Sequence, residues 1–245
     1  MAIDGNGLLK YRLPELTRAI LIKRYKRFLA DVKLETGRII TVHCPNSGSM
    51  KGCAVPGSLV WISKSLNAKR KYAYTWELIQ LPHTLVGINT LLPNRLVKTA
   101  IENHQIKALS GYDMIRSEVK TSAHTRLDLV LEKKSGAACY VEIKNCTLVE
   151  DGTAMFPDAV TTRGQKHLDE LEFLVSQGHR GVLFFLVQRM DAKVFRPAAM
   201  IDEVYARKLK NVSEKGVEIM VFDTRIDTRS IQLAHAVPVD LDSGL

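Results

Sequence analysis

At 245 residues, 46% hydrophobic and 25% charged, the chain has the makeup of an ordinary globular protein of one large or two small domains, not of a disordered or fibrous one. No apolar run approaches the ~20 residues needed to cross a bilayer, and the opening MAIDGNGLLKYRL lacks both the apolar core and the cleavage site of a signal peptide, so the expected compartment is the cytoplasm. The net charge of +9 is concentrated: residues 1–82 hold 14 Lys and Arg against 5 Asp and Glu, which leaves 21 of each from totals of 35 and 26 for residues 83–245.

Five short apolar and β-branched runs follow one another in the basic third, at Arg18–Ile22, Arg27–Leu34, Ile39–Cys44, Leu59–Ser63 and Tyr72–Leu81, separated by Gly, Pro and Asn. They predict an all-β domain over residues 1–82, of the OB-like barrel type that binds nucleic acid on one face and its rim loops, although other small barrels share that strand count. Concentrated basic charge points to a polyanion, DNA above all, held largely sequence-independently through its phosphates. No basic amphipathic helix is present, so a membrane is not an expected partner. Within this domain Arg24, Tyr25, Lys26 and Arg27 place cations around an aromatic ring, a pattern for phosphate contact beside a stacking platform, with Tyr25 equally suited to packing inward. The loop PNSGSMKG over residues 45–52 offers Lys51 to a phosphate, but lacks the ending of a phosphate-binding loop and reads more simply as a barrel connection.

From residue 83 the pattern changes. An amphipathic helix is predicted at Leu92–Asn103, strands at Tyr112–Lys120, Arg126–Glu132 and Cys139–Leu148, and a helix at Arg163–Gln177 opening on a Thr162-x-x-Gln165 capping box. A fully apolar strand, Gly181–Gln188, a helix at Ala198–Val212, and strands at Val217–Asp223 and Ile231–Val239 complete the chain. This order predicts an α/β domain over residues 83–245, a mixed sheet flanked by helices. Cys44, Cys53, Cys139 and Cys146 form no CxxC pair and read as thiols packed like small hydrophobes, not as a zinc site.

The chemistry lies in the hairpin predicted between Arg126–Glu132 and Cys139–Leu148. Strand alternation puts Asp128 on the face opposite Leu127 and Leu129, and Glu142 with Lys144 on the face opposite Val141 and Ile143. A short polar turn makes the two strands antiparallel neighbours, so the three charged groups converge. Two carboxylates supply hard oxygen ligands to Mg²⁺ or Mn²⁺, with Glu118 as a further candidate ligand. Lys144 beside the attacking water stabilises developing negative charge, and the whole suits phosphodiester hydrolysis. Arg126, Lys166 and His167 lie where they can reach the site or DNA phosphates. A plain surface ladder of ion pairs is the blander alternative, worth under ~1 kcal/mol per pair. Lys144 as an amine nucleophile is weaker still, because adjacent carboxylates keep it protonated.

Arg126-Leu-Asp128, Val141-Glu-Ile-Lys144-Asn, Asn46-Ser-Gly48 and above all the stretch FPDAVTTRGQKHLDEL from Phe156 to Leu171 resemble the sugar fermentation stimulation protein (SfsA) family over essentially the whole chain. The resemblance implies a bacterial protein with an OB-like domain joined to a PD-(D/E)xK nuclease-like domain, DNA binding, and a regulatory link to sugar metabolism. Asp128 then matches the lone acidic position, and Glu142 with Lys144 the acidic-x-lysine pair. No proline precedes Asp128, and Thr125 stands where serine is expected. Two functions follow as expectations. One is a Mg²⁺-dependent deoxyribonuclease. The other is a non-catalytic DNA-binding regulator of transcription of sugar (maltose) metabolism genes, its nuclease site vestigial.

Overall fold

The computed structural model describes residues 2–3, 9–123, 125–134 and 136–243. Ser135, in the turn expected between the Arg126–Glu132 and Cys139–Leu148 strands, and residues 1 and 4–8 of the opening stretch read for a signal peptide lie outside that set.

The strands at the start of the chain are β1 (Ala2–Ile3) and β2 (Leu9–Arg12). The barrel follows, as β3 (Leu16–Tyr25), β4 (Leu29–Leu34), β5 (Ile39–His43), β6 (Leu59–Lys64), β7 (Tyr74–Gln80) and the short β8 (Leu85–Gly87). β3 pairs with β4 and β6, β4 with β5 and β6 with β7, all antiparallel, and a bridge from His43 to Thr75 joins β5 to β7 and closes the ring. Leu21, Val32, Val42, Val60, Ile62 and Trp76 fill it and are essentially without solvent contact. The N-terminal domain is thus a closed five-stranded OB barrel, with all five of the expected strands.

The second domain runs α1 (Leu92–Glu102), a 3₁₀ turn (Lys107–Leu109), β9 (Met114–Lys120), β10 (Arg126–Glu132), β11 (Cys139–Cys146), β12 (Leu148–Glu150), β13 (Thr153–Phe156), α2 (Thr162–Ser176), β14 (Arg180–Val187), β15 (Val194–Pro197), α3 (Glu203–Glu214), β16 (Glu218–Ile226) and β17 (Ser230–Ala236). Among the described residues its main sheet has the order β1-β2-β17-β16-β14-β11-β10-β9, and β12, β13 and β15 form a small second sheet. β11, β14 and β16 are mutually parallel, while β9, β10 and β17 run antiparallel to their neighbours. The sheet is mixed, as expected.

Each face of the main sheet buries one core. Leu129, Val141, Val182 and Phe184 pack on α1, and Leu183, Phe185 and Val187 pack on α2 and α3. β14 therefore contributes to both cores, which is why it is apolar at every position. Leu13, Trp61 and Leu78 join the α1-side core, so the barrel seats on the same face as α1. Gly87 meets β14 end-on: its N–H bonds the Gln188 carbonyl, and a Cβ there would lie 2.6 Å from the Gln188 side chain, closer than any side chain allows.

Three details differ from the sequence-based expectation. β2, which falls in the segment read as barrel, pairs with β17 in the second sheet through Tyr11 and Arg12. The N-cap of α2 is Thr161, not Thr162, its hydroxyl accepting the Gly164 N–H. The short β12, β13 and β15 carry too few residues for a period to show. Among the described residues no helix is long and apolar enough to cross a membrane.

Candidate active site

β10 and β11 pair from Leu131 with Cys139 down to Leu129 with Val141, and there the ladder ends. At the next position Asp128 takes over with its side chain: Oδ2 accepts the Ile143 backbone N–H at 2.8 Å, and Oδ1 accepts the Asn94 amide at 2.7 Å. Asn94 comes from the first turn of α1. Along β11, Lys144 Nζ donates to Glu142 Oε1 at 2.5 Å and lies 3.2 Å from His167 Nδ1, while His167 Nδ1 bonds the same Glu142 oxygen. Arg163, one turn earlier on α2, reaches His167 Nε2 at 3.4 Å. The antiparallel pair and the inner face of α2 thus bring Asp128, Glu142 and Lys144 into one cluster, with Asn94 and His167 added.

Glu142 is only 3% exposed, and its second oxygen, Oε2, is buried with no hydrogen-bond partner. Burial raises the Glu142 carboxyl, but the Lys144 ammonium and the His167 hydrogen bond outweigh it and hold the group below the ordinary carboxylate range. Asp128 goes the other way. Burial first, then the nearby Glu142 charge, pushes it up to about 6, against the pull of the Ile143 N–H, Lys144 and Asn94. Tyr205, fully buried on α3, has an unpartnered hydroxyl whose pKa is raised by burial and by the Glu142 charge.

A buried and a partly buried carboxylate crowded together, one oxygen of which lacks any partner, fit a divalent cation, which would satisfy that oxygen and cancel their repulsion. Among the described residues no set of three His, Cys, Asp or Glu side chains is grouped to hold a metal ion, so water and phosphate oxygens would complete the shell. Glu118 does not join. It is exposed at a left-handed backbone position, φ 56°, and lies 4.0 Å from Arg126 on the strand edge.

The residues expected at DNA divide. Lys26 and Arg27 form the exposed tip between β3 and β4, both with positive φ, and Lys166 and Arg126 are exposed. Lys51 is exposed but lies 3.3 Å from Glu150 of the second domain. Arg24 is a correction: its guanidinium donates to the carbonyls of Arg27, Asn46, Gly48 and Ser49 at 2.8–3.2 Å, so it pins a loop. His167 is another, buried against Glu142 and turned away from solvent. Tyr25 is half-buried, its hydroxyl donating to Asp31 at 3.0 Å.

Asn94 and Tyr205 are not apparent from the sequence pattern. An amide in the first turn of an amphipathic helix is the available signal for Asn94; Tyr205 has no local signal.

A closed OB barrel fused to a mixed-sheet domain, with an acidic-x-lysine strand beside a lone aspartate, defines the class of OB-fold proteins carrying a PD-(D/E)xK nuclease-like domain. Residues 22–88 match the SfsA N-terminal OB domain and residues 91–230 the sugar fermentation stimulation protein RE domain. The chain belongs to the sugar fermentation stimulation protein family. It is 52% identical to a sugar fermentation stimulation protein homolog of Geotalea daltonii over 94% of its length and all of the relative, and 54% identical to one of Pelobacter propionicus with the same coverage. A solved structure of Pyrococcus furiosus SfsA in complex with Ca²⁺ is 26% identical and superposes with a TM-score of 0.86 over 95% of this chain and 99% of that one.

Proposed function

We propose that this protein is a divalent-metal-dependent phosphodiesterase acting on DNA, with the basic barrel supplying affinity. One observation carries the reading: the buried Glu142, with its unpartnered oxygen, sits beside an Asp128 whose carboxyl is held near pH 6, one strand from Lys144. Mg²⁺ or Mn²⁺ bound there would polarise the attacking water and offset charge on the phosphoryl oxygens. Asp128 and Glu142 are the residues that would hold it. Lys144 supplies a fixed positive charge for the developing phosphorane, and His167 holds the Glu142 carboxylate in place from α2. The Ca²⁺ in the Pyrococcus furiosus relative is consistent with a hard, oxygen-ligated cation in this fold.

The DNA part rests on charge. Residues 1–82 carry the whole net +9, and Lys26 and Arg27 stand exposed at a turn tip. Plasmid and linear DNA incubated with Mg²⁺ or Mn²⁺ should be nicked or cut by the wild type, and Asp128→Ala and Lys144→Ala should each reduce the rate at least ~100-fold. Chelation with EDTA should stop it. A protein that retards DNA at every metal concentration without cutting it, and whose variants bind like wild type, overturns the enzyme.

A non-catalytic DNA-binding regulator is the second reading. It is favoured by the bonding of Glu142 Oε1, which already takes both Lys144 and His167 and is charge-compensated within the protein.

A further inference from the structure

Between the barrel and the second domain lies a cleft of about 630 Å³, inside the ~300–1,000 Å³ range of small-ligand sites. Two of the segments that line it, the loop at Asn46–Ser49 and the segment leading into α2, are about 110 residues apart in sequence. They are clamped together: Ser49 Oγ donates to the Asp158 carbonyl at 2.7 Å, and the Met50 N–H to Asp158 Oδ2 at 3.0 Å. Gly48 is required there, since a Cβ would lie 2.8 Å from the Asp158 carboxylate.

The cleft is neither purely polar nor purely apolar. Phe156, Pro157 and Val160 give it apolar walls. Asn46, only 4% exposed, uses Oδ1 on the Gly48 N–H, and Asn145 uses Oδ1 on Gln188, so among the described residues both amides keep their N–H₂ donors unused. Asp158 keeps Oδ1 as an acceptor. Arg24 and Arg27 line the barrel side. Flat apolar walls, two amide donors, one carboxylate acceptor and a nearby cation match a nucleobase edge with its phosphate.

A second observation comes from outside the cleft. Phe28 stands 50% exposed at the β3–β4 tip, next to Arg27. An aromatic ring exposed to water beside cations gains nothing for the fold, but such apolar side chains wedge between base pairs in proteins that kink or open a duplex.

We infer that this cleft receives one nucleotide drawn out of the DNA stack, with Phe28 filling the gap it leaves. The inference rests on the DNA reading above and names its substrate as an unpaired or extruded nucleotide. Two elements run from the cleft to the catalytic cluster. β11 carries Asn145 into the cleft and Lys144 into the cluster, and α2 is capped at the cleft by Thr161 and carries His167 to Glu142. Extrusion costs a few kcal/mol, least at a mismatch, so mispaired or single-stranded sites are the favoured substrates.

The test uses the full-length protein in EDTA, so that no strand is cut, with duplexes carrying 2-aminopurine either paired or opposite a mismatch. Anisotropy of a terminal dye reports binding and 2-aminopurine fluorescence reports unstacking. Wild type should bind and raise the fluorescence several-fold, more at the mismatch. Val160→Trp, at a position 69% exposed and so harmless to folding, should fill the cleft and abolish the rise, with affinity kept within about threefold because phosphate contacts dominate it. Phe28→Ala should at least halve the rise. Binding without any rise, or a rise unchanged in Val160→Trp, overturns the inference while leaving the nuclease reading standing. Absence of binding in the anisotropy channel overturns both.

Discussion

Asp128 is where the chemistry and the stability of the protein conflict. Its folded pKa of about 6 stands above the ordinary 3.8, so the folded protein holds a proton there that the unfolded chain releases. Folding stability should therefore fall as pH rises from about 4 through about 6, in the metal-free protein. Asp128→Asn removes the ionisation, and an amide can still accept from Ile143 if Asn94 turns its own amide over. The variant should be more stable than wild type by ~1–3 kcal/mol at pH 8 and indistinguishable near pH 4. Thermal melts across that range in EDTA check it; equal gain at both ends would mean the carboxyl is not raised. Added Mn²⁺ should raise the wild-type melting temperature at pH 8 and leave Asp128→Asn unmoved, because an ion bound only to the folded state stabilises it by mass action. Arg24 makes the complementary case. In the sequence it resembles its neighbours Lys26 and Arg27, yet its four carbonyl contacts hold the loop on which Gly48 and Ser49 meet Asp158. Arg24→Ala should destabilise by ~2–4 kcal/mol, since it leaves several partly buried carbonyls without a donor, whereas Arg27→Ala should cost almost nothing.

At the scale of elements, what is legible in the sequence follows from period. The barrel strands and the Arg126–Glu132 strand show alternating or β-branched runs, and β14 shows unbroken apolarity; each stands where the pattern puts it. Glu142 and Lys144 share a face of β11 for the same reason, whereas Asp128 lies just past the paired ladder and is placed by its bonds to Ile143 and Asn94. What is illegible depends on contacts between distant segments. β13 and β15 are four residues each and are held by one another, not by any period of their own. The inward turn of His167 depends on α2 docking over β11, and the role of Arg24 on a loop twenty-odd residues away. Asp202 is of the same kind. It caps α3 through the Tyr205 N–H at 2.9 Å and also accepts the Thr161 N–H at 2.9 Å and the Gln165 amide, so one carboxylate orients both helices. The tip between β3 and β4, in contrast, touches little and can be altered freely. Lys26→Glu with Arg27→Glu should weaken binding to all DNA sequences alike. It should also reduce the slope of log K against log salt by ~0.9 for each phosphate the protein no longer neutralises. Weakening confined to particular sequences in a filter-binding series would mean the tip reads bases.

The two domains are bound together through the ends of the chain as much as through their shared face. β2 precedes the barrel in sequence but is paired to β17 in the second sheet, so the barrel is inserted between the first strands of that domain and the rest of it. Leu13 enters the core on the α1 side, and Tyr11 lies against Arg95 of α1, with the Arg95 guanidinium 5.6 Å over its ring and 3.3 Å from its hydroxyl. α1 is also the helix whose Asn94 holds Asp128. A chain shortened to begin at Leu16 keeps every barrel strand and Asp128, Glu142 and Lys144. It should nonetheless lose stability in the second domain, because β17 loses its partner and Leu13 leaves a gap worth ~2–4 kcal/mol. Hydrogen exchange gives the sharpest view. Amides of β17 around Ile231, and then those of α1, should exchange faster in the shortened chain, while β4 and β7 in the barrel keep their protection. If the barrel strands lose protection first, the N-terminal segment supports the barrel and not the sheet that carries the site. If α1 loosens as expected, Asp128 is no longer held by Asn94, and Mn²⁺ should raise the melting temperature less than in the full chain.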